Sequence, residues 1–180
     1  MRDESAGAAQ ARAEPITAFV LLGGIAAVLS TAIAGRLLDD PTMDGLLVAV
    51  WAFLGGGLYG LIVYWLGGAL LHGVTSGLKG GGSYRRARHV LGFAAAPLAL
   101  SLVLLWPVRL AVHGGDVFRS GGADDGAADT VFEALALGFG IWALLLLIVG
   151  VRVVYGWSWP RAVAAVGLTV ALPALFVVLL

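Results

Sequence analysis

The chain has 180 residues, of which 60% are hydrophobic and 12% are charged, and its formal net charge is zero. Soluble domains are about 45–50% apolar and about 25% charged, so a water-soluble fold of this length has too little interior to hide these residues. The zero net charge provides no overall field that would attract nucleic acid. The absence of cysteine excludes disulfides, thiol catalysis and cysteine-bound metals. Composition therefore indicates an integral membrane protein.

Five apolar stretches are each about as long as a membrane-spanning helix, which needs roughly 20 residues. The predicted spans are residues 16–34, 46–71, 90–108, 134–151 and 162–180. None of these stretches contains Asp, Glu, Lys, Arg or His. We predict an all-α integral membrane bundle of five transmembrane helices that forms one domain over residues 16–180. Residues 1–15 are predicted to form a short cytoplasmic tail.

Three local patterns predict where helices begin. Asp40 precedes Pro41, an order typical of an N-cap followed by proline at the first helical position. Thr130 and Glu133 have the spacing of a capping box, in which both side chains satisfy free backbone amides. Ser158 is placed to cap the fifth helix. These signals predict helix starts near residues 41, 131 and 159.

The end of the first span allows a second interpretation. Residues 31–34, Thr-Ala-Ile-Ala, resemble the small-residue end of a cleavable signal peptide. The apolar run is long for a signal peptide, and the leader before it carries three acids beside two arginines, whereas signal leaders are plainly basic. Retention of the first span is favoured, and cleavage remains the alternative.

Basic residues are concentrated in alternate loops. Eight of the eleven lie in residues 1–15, 72–89 and 152–161: Arg2, Arg12, Lys79, Arg85, Arg86, Arg88, Arg152 and Arg161. The other loops hold the remaining three, together with eight of the eleven acids. Because basic loops stay on the cytoplasmic side, this bias predicts a multi-pass protein of the cell membrane with its N-terminus inside and its C-terminus outside.

Glycines in the second span predict a close helix contact. Gly56 and Gly60 form a GxxxG pair, and Gly67 lies seven residues further along, so an uninterrupted helix would present all three on one face. Small residues allow two helix backbones to approach closely in lipid. The face is either the seam of a homodimer or, as we favour, a groove that receives another helix of the same chain.

A compact basic patch follows the glycine-rich loop before the third span. Its members are Lys79, Arg85, Arg86 and Arg88. Such a patch at the inner surface attracts anionic lipid headgroups or an acidic partner, or it serves only as a topology signal. The loop itself lacks the lysine and the strand-to-helix setting of a phosphate-binding loop.

Residues with catalytic chemistry are sparse and scattered. Ser30 and Ser101 have no base and acid beside them in the sequence, as a serine hydrolase requires. His72, His89 and His113 all lie at span ends or in loops, and the predicted topology separates His113 from the other two. We therefore predict no catalytic site, no metal site and no cofactor. The absence of ionisable residues inside the predicted spans also weakens the case for a transporter.

Two stretches carry a family resemblance. The first is Lys79-Gly-Gly-Gly-Ser-Tyr-Arg-Arg-Ala-Arg88, leading into Gly92-Phe-Ala-Ala-Ala-Pro97; the second is Gly150-Val-Arg-Val-Val-Tyr-Gly156, followed by Ser158 and Arg161. Together with the five-span layout they resemble the Yip family, the Ypt/Rab-interacting membrane proteins, in its prokaryotic branch. The Asp-Leu-Tyr-Gly-Pro element of eukaryotic members is missing, so Rab binding is not carried over.

The resemblance implies a non-enzymatic membrane protein tied to membrane organisation, and it assigns no functional residues. Our hypothesis is a Yip-like adaptor or structural protein whose partners are the lipid bilayer and either another membrane protein or a second copy of itself, with no nucleic acid. The alternative is a small transporter or permease subunit. That alternative predicts a polar path through the bundle, for instance around Pro97, Ser101 and Trp106.

Overall fold

The computed structural model describes residues 2–121 and 127–179. All regular secondary structure in this part of the chain is helical. The helices are α1 (Arg2–Ala34), α2 (Gly45–Ile62), α3 (Gly68–Gly77), α4 (Tyr84–Ala94), α5 (Ala96–His113), α6 (Ala127–Tyr155) and α7 (Trp159–Leu179). A π-helical turn, Val63–Gly67, joins α2 to α3, and short 3-10 turns lie in the two loops at the opposite end of the bundle.

Four helical stretches are long and apolar enough to cross a membrane. They are Pro15–Ala34, Gly45–Gly77, Tyr84–Phe118 and Asp129–Tyr155. In α7 the apolar stretch Trp159–Leu172 is shorter. Since α2 continues into α3 and α4 into α5, residues 2–121 and 127–179 form five helical segments. The all-α membrane fold predicted from composition is confirmed.

Several helices extend beyond the predicted spans. Helix α1 begins at Arg2 and continues through Pro15, so the predicted tail is helical. The second segment continues to Gly77, and α5 continues to His113. The predicted boundaries were set by hydropathy alone, but a helix can continue through polar residues beyond the apolar stretch. The extension of α5 brings Arg109 into a helix.

The start of α2 differs from the sequence prediction. Asp44 is the N-cap, and its carboxylate accepts a hydrogen bond from the Leu47 N–H at 2.7 Å. Asp40 instead accepts hydrogen bonds from the backbone N–H and the hydroxyl of Thr42, at 2.9 and 2.7 Å. The prediction that Asp40 caps this helix was wrong because its side chain closes a local turn.

The last two helices differ in how well their starts were predicted. Helix α6 already includes Ala127, so Thr130 lies inside it and the predicted capping box is wrong. Helix α7 begins at Trp159, directly after Ser158, in agreement with the prediction. The capping-box spacing recurs inside helices by chance, so it marks a start only where no helical turn precedes it.

The packing places the loops at two opposite ends of the bundle. Helix α1 packs against α2 and α5, α4 packs against α3 and α6, and α6 also contacts α5 and α7. One buried cluster, which includes Leu71, Val151 and Trp157, lies toward the α3–α4 loop and the α6–α7 turn. Another, which includes Trp106 and Phe118, lies toward the α1–α2 and α5–α6 loops. We call the end with the α3–α4 loop and the α6–α7 turn the basic end, and the end with the α1–α2 and α5–α6 loops the acidic end.

Candidate functional site

The glycine-rich loop at the basic end packs directly on the turn between α6 and α7. A Cβ atom at Gly80 would lie 2.5 Å from Cζ2 of Trp157, and one at Gly82 would lie 2.7 Å from Cε1 of Tyr155. Real side-chain atoms do not approach so closely, so a Cβ atom at either position would force the neighbouring ring to shift. The two stretches that carried the family resemblance are therefore in contact with each other.

Polar contacts join the same two segments. The Arg161 guanidinium donates a hydrogen bond to the Leu78 carbonyl and lies 4.4 Å from the centre of the Trp157 ring. The Thr75 and Tyr155 hydroxyls are 3.4 Å apart. The Tyr155 and Trp157 rings pack on each other at 5.2 Å between centroids. The glycine-rich loop and the α6–α7 turn therefore pack together as one surface rather than as two independent loops.

Arg88 is enclosed by aromatic rings. Its guanidinium carbon lies 3.8 Å from the Trp65 ring centre, 4.7 Å from that of Tyr84 and 5.4 Å from that of Tyr64. The Tyr84 hydroxyl donates a 2.8 Å hydrogen bond to the Trp65 carbonyl, which holds these two residues together. Close packing of Gly68 against the stem of Arg88 completes the enclosure. The guanidinium of Arg88 is thus already in contact with aromatic side chains of the same chain.

The other three residues of the predicted patch are exposed. Lys79 lies on the glycine loop in the left-handed conformation, with φ of 57°. Arg85 and Arg86 lie in the first turn of α4, just after its N-cap Ser83. Neither arginine makes a salt bridge within the described part of the chain. Two positive side chains beside the positive end of a helix give a strongly anion-attracting surface.

Two of the three glycines predicted to share a face lie against α1. A Cβ atom at Gly56 would lie 2.5 Å from the Cα of Ile25, and one at Gly60 would overlap the Val20 carbonyl oxygen. On the other side of the contact, a Cβ atom at Gly24 would lie 2.6 Å from the Gly60 nitrogen. This face is an internal groove filled by α1. Sequence reasoning missed Gly24, although the Gly23–Gly24 pair in the first span was a usable signal.

The third predicted glycine contacts a different helix. A Cβ atom at Gly67 would lie 3.2 Å from a methyl carbon of Leu91 in α4. The π-helical turn Val63–Gly67 separates it from Gly60, and such a turn accommodates an extra residue that rotates everything after it. The seven-residue spacing therefore does not place Gly60 and Gly67 on one face.

A buried ion pair lies at the acidic end. The Arg109 guanidinium in α5 contacts the Asp129 carboxylate in α6, and their side chains are 7% and 13% exposed. The Phe132 ring lies 6.0 Å from Arg109 and packs edge-on against His113. The sequence prediction that the spans are free of charge missed this pair, because the third span was ended at residue 108 and the fourth was begun at residue 134.

The two loops at the acidic end are also joined. The Ser120 backbone N–H donates a 2.9 Å hydrogen bond to the Asp39 carboxylate, and its hydroxyl donates a second one. The Arg36 guanidinium donates a 2.9 Å hydrogen bond to the Arg119 carbonyl. The two Ser120 hydrogen bonds, aided by the nearby arginines, lower the pKa of Asp39. The Thr42 hydrogen bonds similarly lower the pKa of Asp40.

The chemistry at both ends suits binding and packing. Among the described residues, no group of three or more His, Asp and Glu side chains is placed to hold a metal ion. The hydroxyls of Ser30 and Ser101 donate to the carbonyls of Ala26 and Leu98 in their own helices, at 2.9 and 2.7 Å. At the basic end, Arg85 and Arg86 are exposed and make no salt bridge among the described residues.

The Yip1 domain family matches residues 9–180, nearly the whole chain. No curated protein and no solved structure matches the chain. The family resemblance seen in the glycine loop and the α6–α7 turn is confirmed, and the prokaryotic branch stays a prediction.

Proposed function

This chain belongs to the Yip1 domain family, and from that premise we propose that it is a non-enzymatic adaptor or structural protein of the cell membrane. In this proposal the bundle anchors the basic end at the inner membrane surface, and the exposed basic residues there dock an acidic partner. The partner is another membrane protein or a second copy of the chain. The apolar outer faces of the helices contact lipid.

The observation that carries the proposal is the packing of the glycine loop on the α6–α7 turn. Contacts of Gly80 with Trp157 and of Gly82 with Tyr155 hold the loop in one position. The loop displays Lys79 and leads directly into the arginines of α4. A rigid surface loses less conformational entropy on binding than a free loop, so such a surface is suited to docking.

The charge distribution supports an inside location for this end. Residues 72–89 and 152–161 meet there, and with residues 1–15 they hold eight of the eleven basic residues. The proposed orientation places the N-terminus inside and the C-terminus outside. It also places the Arg109–Asp129 pair toward the outer surface.

One observation favours the alternative of a small transporter. A cavity of about 70 Å³ lies beside Ser101, Trp106 and Arg109, where a polar path was expected. The larger cavity next to it, about 320 Å³, is lined by apolar residues apart from Tyr59 and Tyr64. A path for a polar solute requires polar groups along its length, so we favour the adaptor.

Orientation can be tested by labelling, because the chain has no cysteine of its own. Single cysteines replace Ser83 at the basic end and Asp116 at the acidic end, both exposed. A membrane-impermeant maleimide added to intact cells should label Asp116→Cys and leave Ser83→Cys unlabelled until the cells are opened. Labelling of Ser83→Cys in intact cells would overturn the orientation.

Docking can be tested with a photo-crosslinking residue at Gly81, where an added side chain meets no atom within 4 Å. We expect a discrete adduct in native membranes that is lost in the Arg85→Gln/Arg86→Gln variant. The same crosslinker at Asp116 is the control and should give no adduct of that size. An adduct that persists without the two arginines, or none at all, would contradict the adaptor role.

A further inference from the structure

A cavity of about 620 Å³ lies between α4 and α6 at the basic end. On the α4 wall the lining is polar and basic toward the loop and apolar further along, and the α6 wall is apolar throughout. The residues that matter here are Arg85, Arg86, Val90, Phe93, Val149 and Val153. We propose that this groove binds one anionic phospholipid, with its phosphate at the arginines and an acyl chain along the apolar part. The inference rests on the proposed placement of the basic end at the membrane surface.

The head of the groove is positively charged and open to a ligand. Arg85 and Arg86 line it, both are exposed, and neither is neutralised by a described carboxylate. The guanidinium group binds phosphate oxygens through paired N–H donors, which a lysine cannot reproduce. Arg88, next in the same helix, is excluded from this role because the Trp65 and Tyr84 rings cover it.

The apolar part of the groove is shaped by a missing side chain. A Cβ atom at Gly150 in α6 would lie 2.8 Å from Cγ1 of Val90 in α4, so the two helices touch there and form the floor. Phe93 and Val153 flank the opening and are 53% and 67% exposed. From Arg86 to Ala94 the wall of α4 is about 12 Å long, since each helical residue rises about 1.5 Å.

This combination identifies the occupant as a lipid. A free anion would contact the arginines and leave the apolar floor uncovered, and so would an acidic protein that reaches the arginines from the inner surface. A phospholipid carries both a phosphate and an apolar chain, and it reaches the groove by lateral diffusion. Basic pockets between transmembrane helices on the cytoplasmic side are established sites for anionic headgroups.

The test uses the purified full-length chain in detergent and native mass spectrometry. Phosphatidylglycerol is expected to form a one-to-one complex, and phosphatidylcholine is expected to bind at least tenfold more weakly. Arg85→Gln and Arg86→Gln should each weaken phosphatidylglycerol binding about fivefold, equivalent to about 1 kcal/mol. Lys79→Gln removes the same charge at the same end but outside the groove, and should change binding less than twofold.

A second pair of variants tests the acyl-chain part without changing charge. Val153→Trp fills the groove and should reduce binding at least tenfold. Val163→Trp is the matched control on α7, also exposed and outside the groove, and should bind like the wild type. If Val153→Trp does not yield a folded protein, Val149→Trp on the same wall replaces it. Glycerophosphate, a headgroup without chains, should not compete.

Each outcome decides the matter. Equal binding of the two phospholipids, or effects as large for Lys79→Gln as for the groove arginines, would mean only general attraction to charge. Competition by glycerophosphate, or full binding by the Trp-filled groove, would reduce the site to a phosphate contact. Either result overturns the lipid site and leaves the adaptor role standing, because that role is judged by the crosslinked adduct at Gly81.

Discussion

The two ends of this bundle accommodate arginine in different ways. At the basic end, Arg88, Arg152 and Arg161 each lie over aromatic rings, at 3.8, 4.6 and 4.4 Å from the nearest ring centre. At the acidic end, Arg109 contacts a carboxylate, that of Asp129, in the interior. The residue type is the same at both ends, but the closest partner is a ring face in one case and an anion in the other.

The difference follows from the charge bias between the loops. Residues 72–89 and 152–161 contain no Asp or Glu, so these segments offer no carboxylate partner. An aromatic ring stabilises a guanidinium through its negative face without cancelling its charge. At the acidic end a carboxylate is available, that of Asp129 in the first turns of α6. Aromatic residues at the basic end therefore hold arginines in place while preserving the charge asymmetry.

The largest effect is expected from breaking the ion pair at the acidic end. Asp129→Leu leaves the Arg109 charge buried without its partner, so we expect a loss of about 3–5 kcal/mol in unfolding free energy. The Arg109→Leu/Asp129→Leu double variant should recover most of the loss, because it removes both charges. Thermal unfolding in detergent measures both. If the double variant is as unstable as Asp129→Leu, an unpaired Arg109 charge is not the cause of the instability.

A substitution between the two ends provides a reference that involves no charge. Gly60→Leu should lower the free energy of unfolding by at least about 1 kcal/mol, because a side chain there overlaps the Val20 carbonyl of α1. Gly73→Leu is the matched control, since an added Cβ there meets no atom within 4 Å. Melting temperature and yield report the difference. If Gly60→Leu leaves melting temperature, yield and oligomer size unchanged, close packing of α1 and α2 is not required.

A smaller loss is expected from removing a cation at the basic end. Arg88→Gln should lower the free energy of unfolding by about 1–2 kcal/mol, because it removes the cation that three aromatic rings contact. Arg85→Gln, one turn away and exposed, should change stability by less than about 0.5 kcal/mol. Equal effects of the two variants in denaturant unfolding would contradict the enclosure of Arg88.

The sequence was sufficient to predict the membrane fold, because long apolar runs have few alternatives to a helix in lipid. It was insufficient for the contacts between helices. The partner of Gly60 is Gly24, and hydropathy does not state which helices pair. The π-helical turn that turns Gly67 toward α4 has no pattern of its own. Arg88 is enclosed by Tyr64 and Trp65, more than 20 positions earlier, and only the fold brings them together.

The smallest effect concerns pH and the loops at the acidic end. Hydrogen bonds from Ser120 to Asp39 lower the pKa of that carboxyl below its ordinary value of 3.8. A lowered pKa in the folded state means that this contact stabilises fully above pH 3.8 and is lost as the pH falls below it. Ser120→Ala removes the side-chain hydrogen bond and should raise the pKa of Asp39, as followed by NMR titration of the carboxyl carbon.

The dependence of melting temperature on pH tests the contribution of the same hydrogen bond to stability. The melting temperature of the wild type should fall slightly more than that of Ser120→Ala between pH 5 and pH 3, since only the wild type has this interaction to lose. Thr42→Ala should likewise raise the pKa of Asp40. By the same linkage, its melting temperature should also fall slightly less than that of the wild type between pH 5 and pH 3. A wild type and Ser120→Ala with parallel melting curves would show that Asp39 does not join the two loops in solution.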